Sequence, residues 1–444
     1  MVYWIGGPIF NPTGTKGLSR MSDCVVVYEA AAIADAVGTE FRPGAVAVRD
    51  HHIIAAGPIH QVNKAIDGPA QWVKILQTLI LPAMVNAHAH LDLTTIGPRP
   101  FGGDFVDWVM GLMQLRPGDS KGLNLAVRRG EMMSLDSGVS TVGDIEGWLM
   151  PISLQTLAES TMKGVRFREF LGLSGNSLKK QIERLRSFEQ EPKERSGMRL
   201  GLQPHAPYST SPPLYGVATD LAVRQNLPIC THLAELQEEL EFVGRTSGSF
   251  RRFLEDRNQW HDECRDWYGE GCHPVEWMEA HLKRTSWLLA HCNYVGDKQL
   301  EILVRTDASV AYCPVASHYF GHDGHRYRDM LDAGVNVCLG TDSILCQPLE
   351  ESQPLSILAQ MRFLYARDHT SQQQLLSMAT VNGAKALGMP ADHATLRPGA
   401  AADLCCVRID ARDPTEPLAQ AMQNRYPCRP LPAYIELTGS DCDD

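Results

Sequence analysis

The sequence predicts an α/β protein whose central part is a (β/α)8 barrel. Two observations predict this fold. Eight short apolar segments alternate with longer amphipathic segments, and chemically reactive side chains follow several of the apolar segments. Strands that alternate with helices form parallel sheets with right-handed crossovers. Eight such units close into a barrel with its site at the carboxyl ends of the strands.

The elements of the predicted barrel follow from the period of the apolar residues. The predicted strands are Leu79–Ala87, Val139–Asp144, Val165–Leu171, Arg199–Pro204, Leu227–Thr231, Ser286–Ala290, Ser309–Cys313 and Val335–Gly340. The helix-like segments between them include Leu123–Ser137, Leu214–Gln225, Asp297–Thr306 and Tyr327–Ala333.

Both ends of the chain differ from this pattern. Residues 40–60 and 395–409 contain strand-like runs with turns and no helical period, so we expect the two ends to pair into one small β-domain. The predicted domains are therefore 1–80 with 391–444, and 81–390 for the barrel. A long insertion at 244–285, rich in tryptophan and charge, follows the fifth strand, where long loops often form lids or specificity elements. A helical excursion on the surface is an equally good interpretation.

The composition restricts the class of protein. The chain has 444 residues, of which 44% are hydrophobic and 21% charged, and its formal net charge is −11. An acidic chain without a basic tract is not expected to bind a nucleic acid polymer. No apolar run approaches the ~20 residues that cross a bilayer, so no membrane partner is expected. The N-terminus resembles no secretory signal, and the twelve scattered cysteines indicate reduced thiols, so we predict a cytoplasmic protein.

The most informative motif is His88-Ala89-His90, which follows the first predicted strand. Residues two apart on an extended chain point to the same side. Two imidazoles therefore face one way where a buried strand ends. This arrangement predicts half of a metal site, although two polar residues at the surface end of a strand give the same pattern.

Other predicted strands also end in reactive side chains. His232 follows the fifth strand and Asp342 follows the eighth, so both would reach the same mouth of the barrel as His88 and His90. Three imidazoles and one carboxylate suit one divalent metal ion, with zinc favoured and ferrous iron an alternative. Asp342 could instead cap a helix.

The same strand ends carry candidates for acid–base chemistry. Glu235 lies three residues after His232, within reach of a metal-bound water, and His291 follows the sixth strand. We predict that Glu235 moves protons, that His291 stabilises the reacting centre, and that Asp342 also takes part in catalysis. The alternatives are an acidic helix start for Glu235 and a buried core histidine for His291. His205, after the fourth strand, is predicted to contact substrate or to shape a turn.

Together these motifs resemble the amidohydrolase superfamily, in its chlorohydrolase and nucleoside aminohydrolase branch. The resemblance rests on Val85–Leu91, Pro204–Tyr208, Thr231–Glu235, His291-Cys292, Cys313-Pro314, Gly340–Ser343 and Leu396–Leu404. It implies a distorted (β/α)8 barrel with a β-sandwich built from both chain ends. It also implies one metal held by His88, His90, His232 and Asp342, with Glu235 and His291 catalytic. The fourth strand contains no lysine, whereas two-metal relatives carry a carboxylated lysine there.

A finer resemblance is to deaminases of 5′-modified adenosines, such as aminodeoxyfutalosine and methylthioadenosine/S-adenosylhomocysteine deaminases. It implies that Trp108 stacks on a planar ring and that Glu169 binds ribose hydroxyls, while Ser343 is a further substrate contact. Packing at the barrel top for Trp108 and an ion pair with Arg166 or Arg168 for Glu169 are the alternatives.

The predicted function is a metal-dependent aminohydrolase. It would replace the exocyclic amine of a nitrogen heterocycle, an adenosine-like nucleoside, by hydroxide and release ammonia. Hydrolysis of a cyclic amide, dechlorination of a triazine, and a metal-binding protein without activity are the competing interpretations. Barrels of this kind often pair, so a homodimer is an open option.

Overall fold

The computed structural model describes residues 24–147, 152, 156 and 159–439. The outermost parts of the predicted end domain, residues 1–23 and 440–444, lie outside the described residues. Among the residues that are described, no helix is both long and apolar enough to cross a bilayer.

The predicted α/β barrel is confirmed. Eight parallel strands lie side by side in chain order. They are β6 (Met84–Ala89), β7 (Val139–Glu146), β8 (Lys163–Phe170), β10 (Met198–Pro204), β11 (Ile229–Leu233), β12 (Trp287–His291), β13 (Ser309–Tyr312) and β14 (Asn336–Leu339). A two-residue strand, β9 (Glu194–Arg195), pairs antiparallel with β10.

The barrel closes between its first and eighth strands. The backbone amides of Thr341 and Asp342 donate to the carbonyl oxygen of His88 at 3.1 and 3.0 Å. The Asn86 side chain donates to the Thr341 hydroxyl at 2.7 Å and accepts from the Thr341 amide at 3.1 Å. Closure therefore brings two predicted metal ligands, His88 and Asp342, next to each other.

Small and branched side chains fill the barrel interior because inward positions alternate along each strand. The interior cluster contains Val85, Ala87, Ile145, Val165, Phe167, Cys230, Leu288, Ala311 and Cys338. The larger cluster, with Trp287, Tyr215 and Tyr312, includes residues of the helices outside the barrel. The barrel is thus a packed core, and ligands are confined to its rim.

Capping residues in the sequence mark where helices begin. Ser211 precedes Pro212, and its side chain accepts from the Leu214 amide at the start of a helix, as an N-cap does. The α-helices span Ile59–Lys64, Phe105–Leu115, Ser120–Asp136, Gly175–Phe188, Pro212–Gln225, Gln237–Arg245, Gly248–Asp256, Pro274–Leu282, Asp297–Arg305, Pro314–Tyr319, Tyr327–Asp332, Ile357–Asp368, Gln372–Ala379, Val381–Ala386, Pro417–Gln423 and Leu431–Gly439. Short 3₁₀ helices span Leu91–Leu93, Asp262–Trp267 and Ile344–Cys346.

The two ends of the described chain share one seven-stranded sheet. Its strands are β1 (Val25–Ala34), β2 (Glu40–Phe41), β3 (Gly44–Arg49), β4 (His52–Gly57), β5 (Ala70–Pro82), β15 (Leu404–Arg408) and β16 (Cys428–Pro430). Their order in the sheet is β16-β15-β5-β1-β3-β4, with β2 beside β1. The expected pairing of the ends is present. The domain boundaries at 80/81 and 390/391, and a sandwich form for this sheet, stay predictions.

One predicted strand is wrong in its extent. The run Leu79–Ala87 is two strands, because β5 ends at Pro82 and β6 begins at Met84. The Ala83 amide donates to the backbone carbonyl of Asp403, beside β15, whereas the Met84 amide donates to the backbone carbonyl of Gly138, beside β7. The chain therefore passes from one sheet to the other between these residues. The residues on both sides of this junction, 79–85, are buried and apolar, so no polar residue marks the change.

Candidate active site

The four predicted metal ligands converge at the carboxyl ends of the strands. The Nε2 atoms of His88 and His90 lie 3.7 and 3.4 Å from Oδ1 of Asp342. The Nε2 atom of His232 lies 3.4 Å from Nε2 of His90. All four side chains thus direct a ligand atom at one small volume.

This group has the donor set and the unsatisfied atoms of a metal site. His88, His90 and Asp342 offer ligand atoms within 4.8 Å of one another, and His88, His232 and His291 do the same. Neither ring nitrogen of His88, which is 1% exposed, has a hydrogen-bond partner among the described residues. Nε2 of His291, in the second group, likewise has no partner among the described residues. Buried polar atoms are normally paired, so unpaired nitrogens within these groups fit a bound cation.

The protonation states also fit a cation. Burial lowers the pKa of His90 to about 3, although the Asp342 charge opposes the shift. Burial alone raises the pKa of Asp342, but the neighbouring imidazoles of His88, His291 and His90 hold it below its ordinary value. At neutral pH these side chains therefore present neutral imidazole and carboxylate, the forms that bind metals.

A backbone carbonyl orients His232. Its Nδ1 lies 3.1 Å from the carbonyl oxygen of His205, which can only accept a hydrogen bond. The side-chain nitrogen of Gln203 also lies 3.1 Å from Nδ1 and is the competing partner. With Nδ1 donating to the carbonyl, Nε2 keeps its lone pair for the interior of the site.

Glu235 and His291 lie beside this group and face each other. Oε1 of Glu235 lies 3.5 Å from Nε2 of His291. Burial, with the charges of Asp342 and Glu239, raises the pKa of Glu235 well above its ordinary value. Burial lowers the pKa of His291 to about 3. The site thus places a carboxyl group with a raised pKa next to an imidazole with a lowered pKa.

Sharp turns at the strand ends position these side chains. Ala234, His291, Cys292 and Asp342 have φ values of 50°, 71°, 51° and 57°. The left-handed region is costly for residues other than glycine and occurs often at functional sites. The backbone therefore turns sharply where β11, β12 and β14 end, at or next to the predicted site residues.

A cavity of about 260 Å³ opens onto the site. Every predicted site residue except His88 lines it, and His88 lies beneath. At the reactive end lie His90, His232, Glu235, His291 and Asp342. The apolar wall includes Phe105, Phe250, Phe253 and Leu254.

The predicted substrate contacts lie on the cavity wall with differing local roles. Trp108 donates from Nε1 to the Tyr319 hydroxyl at 2.8 Å and stacks on Phe105, so it is packed as well as exposed to the cavity. Ser343 accepts from the Leu345 amide and caps a 3₁₀ helix. Their roles toward substrate stay predictions.

Glu169 and His205 form a pair on the same wall. Oε1 of Glu169 lies 3.8 Å from Nε2 of His205, whose Nδ1 is 2.6 Å from the Ser209 hydroxyl. Burial lowers the pKa of His205 to about 3. The arginines offered as alternative partners of Glu169 have other ion pairs: Arg166 with Asp144 and Glu131, and Arg168 with Glu146 and Glu191.

Several residues of the site were not predicted. The insertion at 244–285 supplies Phe250, Phe253, Leu254 and Arg257 to the cavity, so it is both a helical excursion and part of the site. Arg116 also lines the cavity and pairs with Asp92. The amphipathic pattern of the helix Gly248–Asp256 was readable, but its apolar face alone does not say what it packs against.

Comparisons with known proteins agree with this geometry. The model of the amidohydrolase family matches residues 79–431. Relatives include 5-methylthioadenosine/S-adenosylhomocysteine deaminases of Halalkalibacterium halodurans (28% identical over 357 residues, 78% of this chain and 74% of the relative) and Pyrococcus furiosus (27% over 377 residues, 82% and 83%).

Solved structures with the same fold include Helicobacter pylori aminofutalosine deaminase in complex with methylthio-coformycin. Its TM-score is 0.75 at 21% identity, over 90% of this chain and 97% of that one. Atrazine chlorohydrolase from Arthrobacter aurescens, complexed with zinc, gives 0.71 at 17% identity, over 94% and 98%. The family model covers most of the chain, and the predicted resemblance is confirmed: this protein belongs to the amidohydrolase family.

Proposed function

We propose that this protein is a metal-dependent deaminase of an adenosine-like nucleoside. It replaces the exocyclic amine of the base by a hydroxyl group and releases ammonia. One observation carries the proposal: Glu235, His291 and Asp342 offer polar atoms within 4.8 Å of one another at the metal-ligand group, at the end of an aromatic-lined cavity, and the pKa of Glu235 is raised while that of Asp342 is lowered. The names of the deaminase relatives support the same reaction class, hydrolysis of a carbon–nitrogen bond.

We assign the metal to His88, His90, His232 and Asp342, and we propose zinc because three imidazoles and a carboxylate suit it. The zinc in the solved structure of the chlorohydrolase supports this choice. A divalent metal, when bound, lowers the pKa of a water molecule to about 7 and so makes hydroxide available at neutral pH.

The two carboxyl groups divide the proton transfers. Neighbouring carboxyls with pKa values pushed in opposite directions commonly act as acid and base. Asp342 is ionised and can accept the proton of the attacking water. Glu235, whose pKa is raised, can donate its proton to a ring nitrogen, then take the proton of the newly formed hydroxyl group and pass it to the departing amine. The proton that Asp342 took from the water afterwards restores Glu235. His291, neutral and 3.5 Å from Glu235, is placed to stabilise the tetrahedral carbon.

The apolar wall favours a substrate with a flat ring and a further substituent. Phe250 stacks on Tyr208 with ring centres 4.0 Å apart and meets the edge of Phe105. Aromatic walls of this kind bind planar heterocycles through their faces and edges. The His205 ring contacts both His232 and Tyr208, with ring centres 4.8 and 5.6 Å apart, and Glu169 lies beside it. Hydroxyl groups of a sugar can hydrogen-bond to this pair from the cavity.

The test is a substrate panel that separates the competing reactions. Purified, zinc-loaded protein is incubated with adenosine, 5′-methylthioadenosine, S-adenosylhomocysteine, a chlorinated triazine and a cyclic amide. We expect ammonia from a nucleoside, loss of that activity with a chelator, and its return with zinc. Chloride release or ring opening without ammonia would assign the other chemistry, and restoration by ferrous iron alone would assign the other metal.

Glu235→Gln distinguishes an enzyme from an inactive metal-binding protein. The substitution removes the proton donor and leaves the four proposed ligands in place. We expect kcat to fall on the order of 10²–10⁴-fold, with the metal content of one ion per chain unchanged. Equal turnover in both proteins would remove Glu235 from the mechanism.

A further inference from the structure

The segment that carries Glu235 is fixed by a second glutamate that the proposed mechanism does not use. Glu239 is 0% exposed. Its Oε1 accepts from the Ala234 amide and its Oε2 from the Glu235 amide, both at 2.9 Å. One buried carboxylate therefore holds two consecutive backbone N–H groups, one of them that of Glu235 itself.

The carbonyl groups of the same two residues accept hydrogen bonds from the segment that follows the neighbouring strand β12. The Asn293 side chain donates to the Glu235 carbonyl at 3.0 Å, and the Tyr294 amide donates to the Ala234 carbonyl at 3.1 Å. Asn293 is 3% exposed, and its side-chain oxygen accepts from the Ser317 hydroxyl at 2.8 Å. All four backbone polar groups of Ala234-Glu235 are thus paired, two of them with the segment just after His291.

This pairing counteracts an unfavourable backbone conformation. Ala234 has φ of 50°, which a residue with a side chain adopts only when its surroundings impose it. A carboxylate that accepts two backbone N–H bonds is a strong restraint, since hydrogen bonds to a charged acceptor are among the strongest in proteins. Glu239 also lies in the first turn of the helix Gln237–Arg245, where the helix dipole favours a negative charge.

We propose that Glu239 is a positioning residue that, with Asn293, fixes the backbone of Glu235 and so sets the distance between Glu235 and His291. The inference rests on the proposed role of Glu235 as the proton donor. Glu239 itself contacts no reacting atom, because its carboxylate is occupied by the two amides and does not line the cavity.

The substitution Glu239→Gln tests this restraint. Glutamine keeps the size of the side chain but offers one acceptor oxygen, and its NH₂ group would face the second amide as a competing donor. Glu238→Gln is the matched control: it removes the same charge from the preceding residue of the helix, whose side chain is only partly buried. Assays at about pH 8 lie above the pKa of about 7 that burial gives Glu239.

Hydrogen exchange of the full-length, zinc-loaded protein measures how firmly this backbone segment is held, and it needs no substrate. We expect the amides of Ala234 and Glu235 to exchange at least about 10-fold faster in Glu239→Gln, and at the original rate in Glu238→Gln. If no nucleoside is turned over by the unmodified protein, the proposed function fails, and unchanged exchange in Glu239→Gln would separately overturn this inference.

Steady-state kinetics measure how the restraint on the Glu235 backbone affects catalysis. We expect Glu239→Gln to lower kcat by about 10–100-fold with KM within about 2-fold and full zinc content, because misplacement affects the chemical step more than binding. Glu239→Asp, which retains the charge, should recover part of the loss. In a Glu235→Gln background the further loss should be less than about 2-fold, since the residue that Glu239 positions is already absent.

Two kinetic outcomes also overturn the inference. An equal loss of kcat in the presence and absence of Glu235 would show general damage to the site, and wild-type kcat in Glu239→Gln would show that the restraint is dispensable. If Glu239→Gln does not fold, Asn293→Ala removes the donor to the Glu235 carbonyl and is subject to the same expectations for exchange, KM, kcat and coupling.

Discussion

Asn86→Ala tests whether closure of the barrel builds the metal site. Asn86 is 0% exposed and makes two hydrogen bonds to Thr341, across the junction between β6 and β14. Asn86 precedes His88 by two residues, and Thr341 precedes Asp342 by one. Loss of the Asn86 amide should therefore loosen two proposed ligands together while removing neither of them.

The expected loss of stability has two parts. The Thr341 amide keeps a bond to His88, so the metal-free protein loses two hydrogen bonds of about 1 kcal/mol each, or about 2 kcal/mol in total. Loss of a group that supports metal ligands typically weakens metal affinity by ~10–100-fold. With saturating metal this adds about 1.4–2.7 kcal/mol, because binding to the folded state stabilises it in proportion to the logarithm of affinity.

The assay is urea unfolding followed by tryptophan fluorescence, once with chelator and once with excess zinc. Asn63→Ala, at an exposed position of the helix Ile59–Lys64, is the control and should change neither curve. We expect a larger loss with zinc than with chelator. An equal loss under both conditions would refute the link between barrel closure and the metal ligands, and no loss under either would refute the hydrogen-bond argument.

Two further predictions concern pH and substrate binding. Burial raises the pKa of Asp144 to about 7. Folding therefore favours its protonated form, so this contribution to stability is complete below about pH 4 and is lost as the pH rises through about 7. Between about pH 5 and 8 the free energy of unfolding should fall less steeply in Asp144→Asn than in the unmodified protein, as measured by urea titrations, and parallel curves would contradict this. Phe250→Ala should raise KM for the preferred nucleoside by about 10-fold with kcat within about 3-fold, because a wall that stacks on Tyr208 is lost. Leu349→Ala, at a position 80% exposed, is the control, and an unchanged KM would place the substrate elsewhere in the cavity.

Local rules were sufficient to predict the reactive end of the site. His88 and His90 share a face because of the alternation of an extended chain, and His232, His291 and Asp342 meet because parallel strands end at one rim. Neither argument needs knowledge of packing between distant helices. The convergence of these side chains follows from topology once the eight strands are identified.

The remaining features depend on tertiary contacts that have no local signature. The boundary at Ala83 lies inside one continuous buried apolar run, residues 79–85, so no local pattern marks it. Phe250 and Arg257 reach the cavity only because their helix packs over the barrel rim. Glu239 stands between Glu238 and Glu241 in the sequence, a pattern typical of an exposed acidic helix face, whereas its burial depends on the Ala234 and Glu235 amides that turn toward it. A homodimer and a cytoplasmic location stay predictions.

The cavity is formed by two separate parts of the chain, one of which is the insertion at 244–285. Strand ends of the barrel supply the reactive groups, whereas one continuous excursion of the chain supplies a large share of the apolar wall. Exchanging that excursion for one of different shape leaves every proposed ligand and proton donor at the end of its own strand. Selectivity can therefore diverge in this protein through a single contiguous replacement, and the same segment is the natural target for redesign toward a new heterocycle.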